Sequence, residues 1–137
     1  MSVSLPTIHI LPHSYPFVMI DKIVELEEGQ RIVCIKNVTI NENYFTGHFE
    51  ENPSMPAILI IEAMAQASGL IVNNNKRTLV YLAGIRDASF KRPVVPGDQI
   101  VIRSSIIQAL PPLYVFGVTA HVRDEVVSEA QITLNII

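Results

Sequence analysis

The chain has 137 residues, enough for one domain with a proper hydrophobic core and no covalent staples. A formal net charge of −3 gives no bulk attraction to nucleic acid, and the single cysteine, Cys34, excludes an internal disulfide and any Cys/His cluster of the zinc type. Apolar residues make up 49% of the chain and charged residues only 17%, a balance that points to a buried subunit interface as well as a core.

In chain order, residues 1–17 are rich in proline and histidine and read as an irregular lead-in. They lack the basic start and apolar run of a signal peptide. Residues 18–26 and 31–38 are β-branched and alternating, and the intervening Glu27-Glu28-Gly29-Gln30 predicts a hairpin with glycine in its turn. Residues 41–55 form a long polar loop, a feature often tied to function in compact domains. Ser54 can cap the helix that follows, with Pro56 at its favoured first position and an end near residue 74. The apolar run 57–72 is too short for a bilayer and carries Glu62 and Gln66, so a cytoplasmic protein is expected.

Strands are predicted over 78–88, 99–109, 114–123 and 126–137. Pro96-Gly97-Asp98, Leu110-Pro111-Pro112 and Asp124-Glu125 separate the four. One long helix followed by an antiparallel meander is the expectation. Because the helix is apolar nearly all round, it must be covered on most sides. A curved antiparallel sheet wrapped around it, in a single α+β domain, satisfies that demand.

Three features of the sequence carry chemistry. Glu62 and Gln66 are four apart and share a helix face amid Ile60, Ile61, Ala63, Met64, Ala65 and Ala67. A carboxylate there loses water, and burial penalises its charged form. The plainer alternative is an ion pair with a buried arginine, or an outlet to solvent at the helix edge. His48, between Gly47 and Phe49, titrates near neutrality and can take or give a proton, although a lone loop histidine is more often an ordinary surface residue. His9, His13 and His121 have no such context and read as structural. The backbone N–H groups after Pro56 have no helical acceptor and sit at the positive end of the helix dipole, where they can stabilise negative charge developing on a carbonyl oxygen. Together these groups suit removal of a proton α to a carbonyl, with assistance to a departing hydroxyl.

At these residues the sequence resembles the β-hydroxyacyl-acyl-carrier-protein dehydratases of the FabZ type. The matching stretches are LPHSYPFVMIDKI, IKNVTINENYFTGHF, NPSMPAILIIEAMAQASG and FKRPVVPGDQI, in the expected order over most of the chain. The resemblance implies a hot-dog fold, a homodimer often assembled as a trimer of dimers, and no metal or redox cofactor. It implies that His48 and Glu62 are the catalytic pair, meeting across the dimer interface from opposite subunits. His48 would remove the α-proton of an (R)-3-hydroxyacyl thioester and Glu62 would assist departure of the hydroxyl, giving a trans-2-enoyl thioester. A one-base route, with His48 handling both transfers and Glu62 orienting water, fits the sequence equally. The backbone N–H of Ala57 would hold the thioester carbonyl, with Gly47, Phe49, Gln66 and Phe90 also against the substrate. Glutamate at position 62, where the dehydratase–isomerase type typically carries aspartate, favours the simple dehydratase.

The chain departs from the family pattern at Glu50-Glu51, where Pro-Gly is usual after the His-Phe pair. It departs again at Ala57, where glycine is usual, and at Ser54, where an apolar residue is usual. These changes point to a divergent member serving a specialised lipid or polyketide-like pathway. The implied partner, an acidic acyl carrier protein, calls for basic docking residues; Lys91, Arg92 and Arg103 are the first candidates, with Lys76, Arg77 and Arg86 behind them. Any one of these is more often a solvated surface charge. Phe90 and Tyr81 are tunnel candidates for which core packing is the plainer role. Two other functions remain open at this point: a hot-dog thioesterase, against which the His48–Glu62 spacing argues, and a non-catalytic acyl-binding subunit, which Glu50-Glu51 keeps in play.

Overall fold

The computed structural model describes residues 18–40, 54–72 and 79–137. Among them, two strands, one helix and four more strands follow in order: β1 (Lys22–Glu27), β2 (Arg31–Asn37), α1 (Ala57–Val72), β3 (Val80–Phe90), β4 (Gln99–Leu110), β5 (Leu113–Val122) and β6 (Glu125–Ile136). The strands form one antiparallel sheet in the order β1-β2-β4-β5-β6-β3.

The period-two pattern decides which face of that sheet is covered. Ile32, Cys34 and Lys36 on β2 stand opposite Ser104, Ile102 and Ile100 on β4, and Ala120, Val118 and Phe116 on β5 continue the row toward Ser128, Ala130 and Ile132 on β6. All twelve are buried, whereas the intervening Arg103 and Ser105 face water. The helix α1 lies on the covered face and touches every strand from β2 to β6. Eleven of its sixteen residues are buried, as its nearly continuous apolar composition requires. Fully burying one side chain such as Met64 or Ile102 contributes about 1.5–3 kcal/mol.

The helix is tied down at both ends and in the middle. Gly29, at φ +74°, turns the β1–β2 hairpin so that its N–H donates to the Ile71 carbonyl at 3.0 Å, occupying an acceptor at the helix C-terminus. Midway, Ser68 Oγ donates to the Met64 carbonyl at 2.8 Å and lies 2.7 Å from Ser104 Oγ on β4. At the other end Met55 N–H donates to the Val94 carbonyl at 2.7 Å.

Two expectations need correcting. The strands after the helix are not a simple meander: β4, β5 and β6 are, but β3 pairs with β6 rather than with β4. The helix therefore links β2, near one edge, to β3 at the other, and the chain then returns to β4. Tyr81 and Phe90 are not core residues of the chain; they lie on that edge strand at 53% and 44% exposure. Element ends also differ locally. β1 begins at Lys22, β3 runs on to Phe90, and the β5–β6 turn is Arg123-Asp124, with φ of 51° and 65°, in place of Asp124-Glu125. Two consecutive positive φ values match the tight hairpin twist, and aspartate tolerates that region better than most residues. The expected helix end near residue 74 falls outside the described residues.

Candidate active site

The start of α1 supplies oriented backbone donors. The Pro56 carbonyl accepts from Leu59 N–H at 3.0 Å and from Ile60 N–H at 3.3 Å, so the helical ladder begins there and Ala57 is the first helical residue. Pro56 precedes the helix by one position instead of occupying its first turn. Its ring has no N–H to lose and its carbonyl takes the first helical bond. The N–H groups of Ala57 and Ile58 stand ahead of that ladder, and both residues are exposed. This is the positive end of a sixteen-residue helix, suited to a carbonyl oxygen on which negative charge develops.

One turn further along, the same face carries the side chain of Glu62. Ile58, Glu62 and Gln66 form an i, i+4 row that passes from exposed through half-buried to buried. Gln66 Nε2 donates to Glu62 Oε1 at 3.2 Å, and Gln66 Oε1 accepts the Met19 N–H at 2.8 Å. Glu62 thus takes one hydrogen bond from a neutral amide, and it is half-buried at the helix surface. Spacing alone brings Glu62 and Gln66 together. The Met19 backbone is the participant that sequence reasoning missed, because a main-chain N–H carries no side-chain signal.

His48, Gly47 and Phe49 lie outside the described residues, as do Glu50-Glu51, His9, His13, Lys76 and Arg77. Ala57, Glu62 and Gln66 are gathered at one end of α1. Phe90 closes β3, immediately before the segment 91–98 whose Val94 carbonyl fixes Met55 at the helix start. Lys91 Nζ lies 3.7 Å from Glu129 and Arg92 Nε 3.6 Å from Glu125, both ion pairs at the surface. Arg103 stands on the sheet face turned away from the helix. His121 Nε2 lies 2.9 Å from Thr119 Oγ1, a local contact in keeping with a structural role. Cys34 is fully buried on β2, and burial pushes its thiol up to about 12, which leaves it a neutral, inert side chain.

The family model for the FabA-like domain matches residues 11–131. The chain belongs to the FabA-like family. Within it, the similarity runs to the FabZ dehydratases. The chain is 46% identical over 129 residues to the 3-hydroxyacyl-[acyl-carrier-protein] dehydratase FabZ of Aromatoleum aromaticum, covering 90% of this chain and 89% of that protein. It is 46% identical over 132 residues to the FabZ of Psychrobacter arcticus, covering 92% and 90%. Among solved structures, the dehydratase heterocomplex ApeI:P of Xenorhabdus doucetiae superposes with a TM-score of 0.81 over 96% of this chain and 90% of that one, at 18% identity. That likeness concerns fold alone, and the fold is the hot-dog: one long helix held in a curved antiparallel sheet.

Proposed function

We infer that this chain dehydrates (R)-3-hydroxyacyl thioesters carried on acyl carrier protein to trans-2-enoyl thioesters, in fatty-acid or related lipid biosynthesis. The observation that carries the reading is the α1 end of a FabA-like chain, with a half-buried carboxylate one turn beyond free backbone amides. A thioester carbonyl seated on the Ala57 N–H becomes a better electron sink, because that donor stabilises the enolate-like charge formed when the α-proton leaves. His48 takes that proton as the C2–H bond breaks. The electron pair forms the C2–C3 double bond as the C3–O bond breaks, and Glu62 delivers a proton to the departing hydroxyl, which leaves as water. The proton on His48 then returns to Glu62 through solvent and resets the pair.

The site is proposed to be shared between two copies of the chain. The sheet edge β3 exposes Tyr81, Leu82, Ile85 and Phe90, and Ile58 is 66% exposed at the start of α1. An open edge strand with apolar side chains favours pairing with a second strand. Two β3 edges paired antiparallel would cover this edge of the sheet. Lys91 and Arg92, which follow β3 directly, are the basic residues best placed to meet an acidic carrier. Arg103 is worse placed, on the far face of the sheet.

A 3-hydroxyacyl carrier thioester, followed at the enoyl absorbance, tests the reading. Growth of the enoyl signal supports it. Release of free carrier thiol without any enoyl product would replace it with a thioesterase.

A further inference from the structure

The end of the sheet where β3 starts and β6 finishes carries no charge. Residues 79–85, 104–120 and 130–137 contain no Asp, Glu, Lys or Arg. Gly69 on α1 settles which side faces the helix. A Cβ there would stand 3.7 Å from Val80 Cγ1 and 3.8 Å from Leu134 Cδ1, so both of those side chains point inward. Alternation then turns Leu79, Tyr81 and Ile137 outward. Register carries the outer row from Tyr81 through Asn135 to Leu113 and Leu110. Leu79 and Ile137 hold each other by two backbone bonds, at 3.1 and 2.9 Å. Ile107 reaches the same face by another route. The β4–β5 register shifts between Ile106 and Gln108, leaving Ile107 as the extra residue of a bulge. Its side chain lies over Gly117, where a Cβ would stand only 3.1 Å from Ile107 Cδ1. Glycine at 117 leaves room for the isoleucine to cover the bare backbone of β5.

The six side chains Leu79, Tyr81, Ile107, Leu110, Leu113 and Ile137 are each 43–68% exposed. Together they open on the order of 600 Å² on one face, the upper end of what a monomer leaves uncovered. We propose that this outer face is a contact between two copies of the chain, sheet against sheet, separate from edge-to-edge pairing at β3. Charge and area decide the occupant. An acidic carrier or an anionic lipid surface finds no cation on this face to meet it. A two-fold contact needs a patch complementary to itself; a charge-free apolar face is, and a face of one charge sign is not. A stable interface buries about 800 Å² on each side. The six side chains with their polar rim of Ser105, Gln108 and Thr133 come to about that size. Stacked sheets pack through such side chains about 10 Å apart. The face is turned away from α1, so the contact leaves the helix start and Glu62 uncovered.

Sedimentation equilibrium of wild type and of the double variant Ile107→Lys, Leu110→Lys, at one protein concentration, tests the contact. Two lysines on each copy would face two on the other, so the mass in solution should fall by half or more, about twofold at least, while the far-UV circular dichroism stays that of wild type. An unchanged mass in the folded double variant overturns the proposal. If the lysines prevent folding, Leu113→Cys decides. A short bismaleimide should join two chains through that thiol, because Cys34 is buried and inert. The same reagent should not join chains through Lys22→Cys, exposed on the opposite edge strand. No joined pair at Leu113→Cys, or an equal yield at Lys22→Cys, overturns the proposal. So does a Leu113→Cys crosslink that acyl carrier protein abolishes, which would make the face a carrier site. Neither measurement involves turnover, so failure of the dehydratase reading leaves both intact.

Discussion

Ser68 and Ser104 are the pair through which the helix bearing Glu62 is pinned to the sheet, and their hydrogen bonds have a direction. Ser68 Oγ has one proton, and it goes to the Met64 carbonyl 2.8 Å away. The proton in the 2.7 Å contact between the two hydroxyls must then come from Ser104. The two alanine substitutions therefore differ. Ser104→Ala removes a donor from Ser68, which still donates to Met64, so the loss is that of one net hydrogen bond, about 0.5–1.5 kcal/mol. Ser68→Ala strands the Ser104 hydroxyl at 1% exposure, and an unsatisfied buried donor costs more, about 1–3 kcal/mol. In the double variant nothing is stranded, so its cost should fall below the sum of the singles. Urea unfolding at one fixed protein concentration measures all three, since association of copies, where it occurs, adds to apparent stability. A Ser104→Ala variant less stable than Ser68→Ala, or strict additivity, would refute the assigned donor direction.

Ala57→Gly should preserve or raise turnover, most visibly with bulky acyl chains, because the backbone N–H survives while a methyl leaves the proposed thioester path. Ala57→Val should lower turnover in a folded protein, and equal turnover across the three side chains would place the thioester elsewhere. Mixing inactive His48→Ala and Glu62→Gln chains should restore partial activity once subunits exchange, because a mixed dimer rebuilds one intact site; no recovery after confirmed exchange would count against a shared site. Cys34 should resist alkylation in the folded protein and react on unfolding. Its folded thiol is raised from 9.0 to about 12, so the unfolded chain loses this proton first as pH climbs. The Cys34 contribution is whole below about pH 9 and fades as pH rises toward 12, by about 1 kcal/mol per pH unit. Subtracting the stability–pH curve of Cys34→Ala from that of wild type isolates this slope, and parallel curves would contradict it.

Much of this fold is legible in the sequence because local patterns and burial agree. The alternation of Ile100, Ile102 and Ser104 against Val101 and Arg103 marks β4 and its inner face. The unbroken apolar run around Met64 marks a helix covered on most sides. Strand order is different: nothing local in residues 80–90 says that they pair with β6 instead of β4, since an edge strand and an inner strand share the same alternation. The exposure of Tyr81 and Phe90 follows from that placement and was equally hidden. At the site, spacing reveals the Glu62–Gln66 pair and the free amides after Pro56. The Met19 N–H that donates to Gln66 comes from forty-seven residues away, through a group that every residue but proline possesses.

The most direct test of the account is the mass of the carrier-bound acyl group after incubation of a 3-hydroxyacyl carrier thioester with wild type and with Glu62→Gln. Wild type should shift the acyl carrier protein down by the mass of one water, with the thioester intact, until hydroxyacyl and enoyl forms reach equilibrium. Glu62→Gln, folded and in the same assembly state as wild type, should leave the mass nearly unchanged over the same time, since loss of a general acid–base partner typically costs ~10²–10⁴-fold in rate. Wild-type protein that strips the acyl group from the carrier, or a Glu62→Gln variant that dehydrates as fast as wild type, would contradict the account.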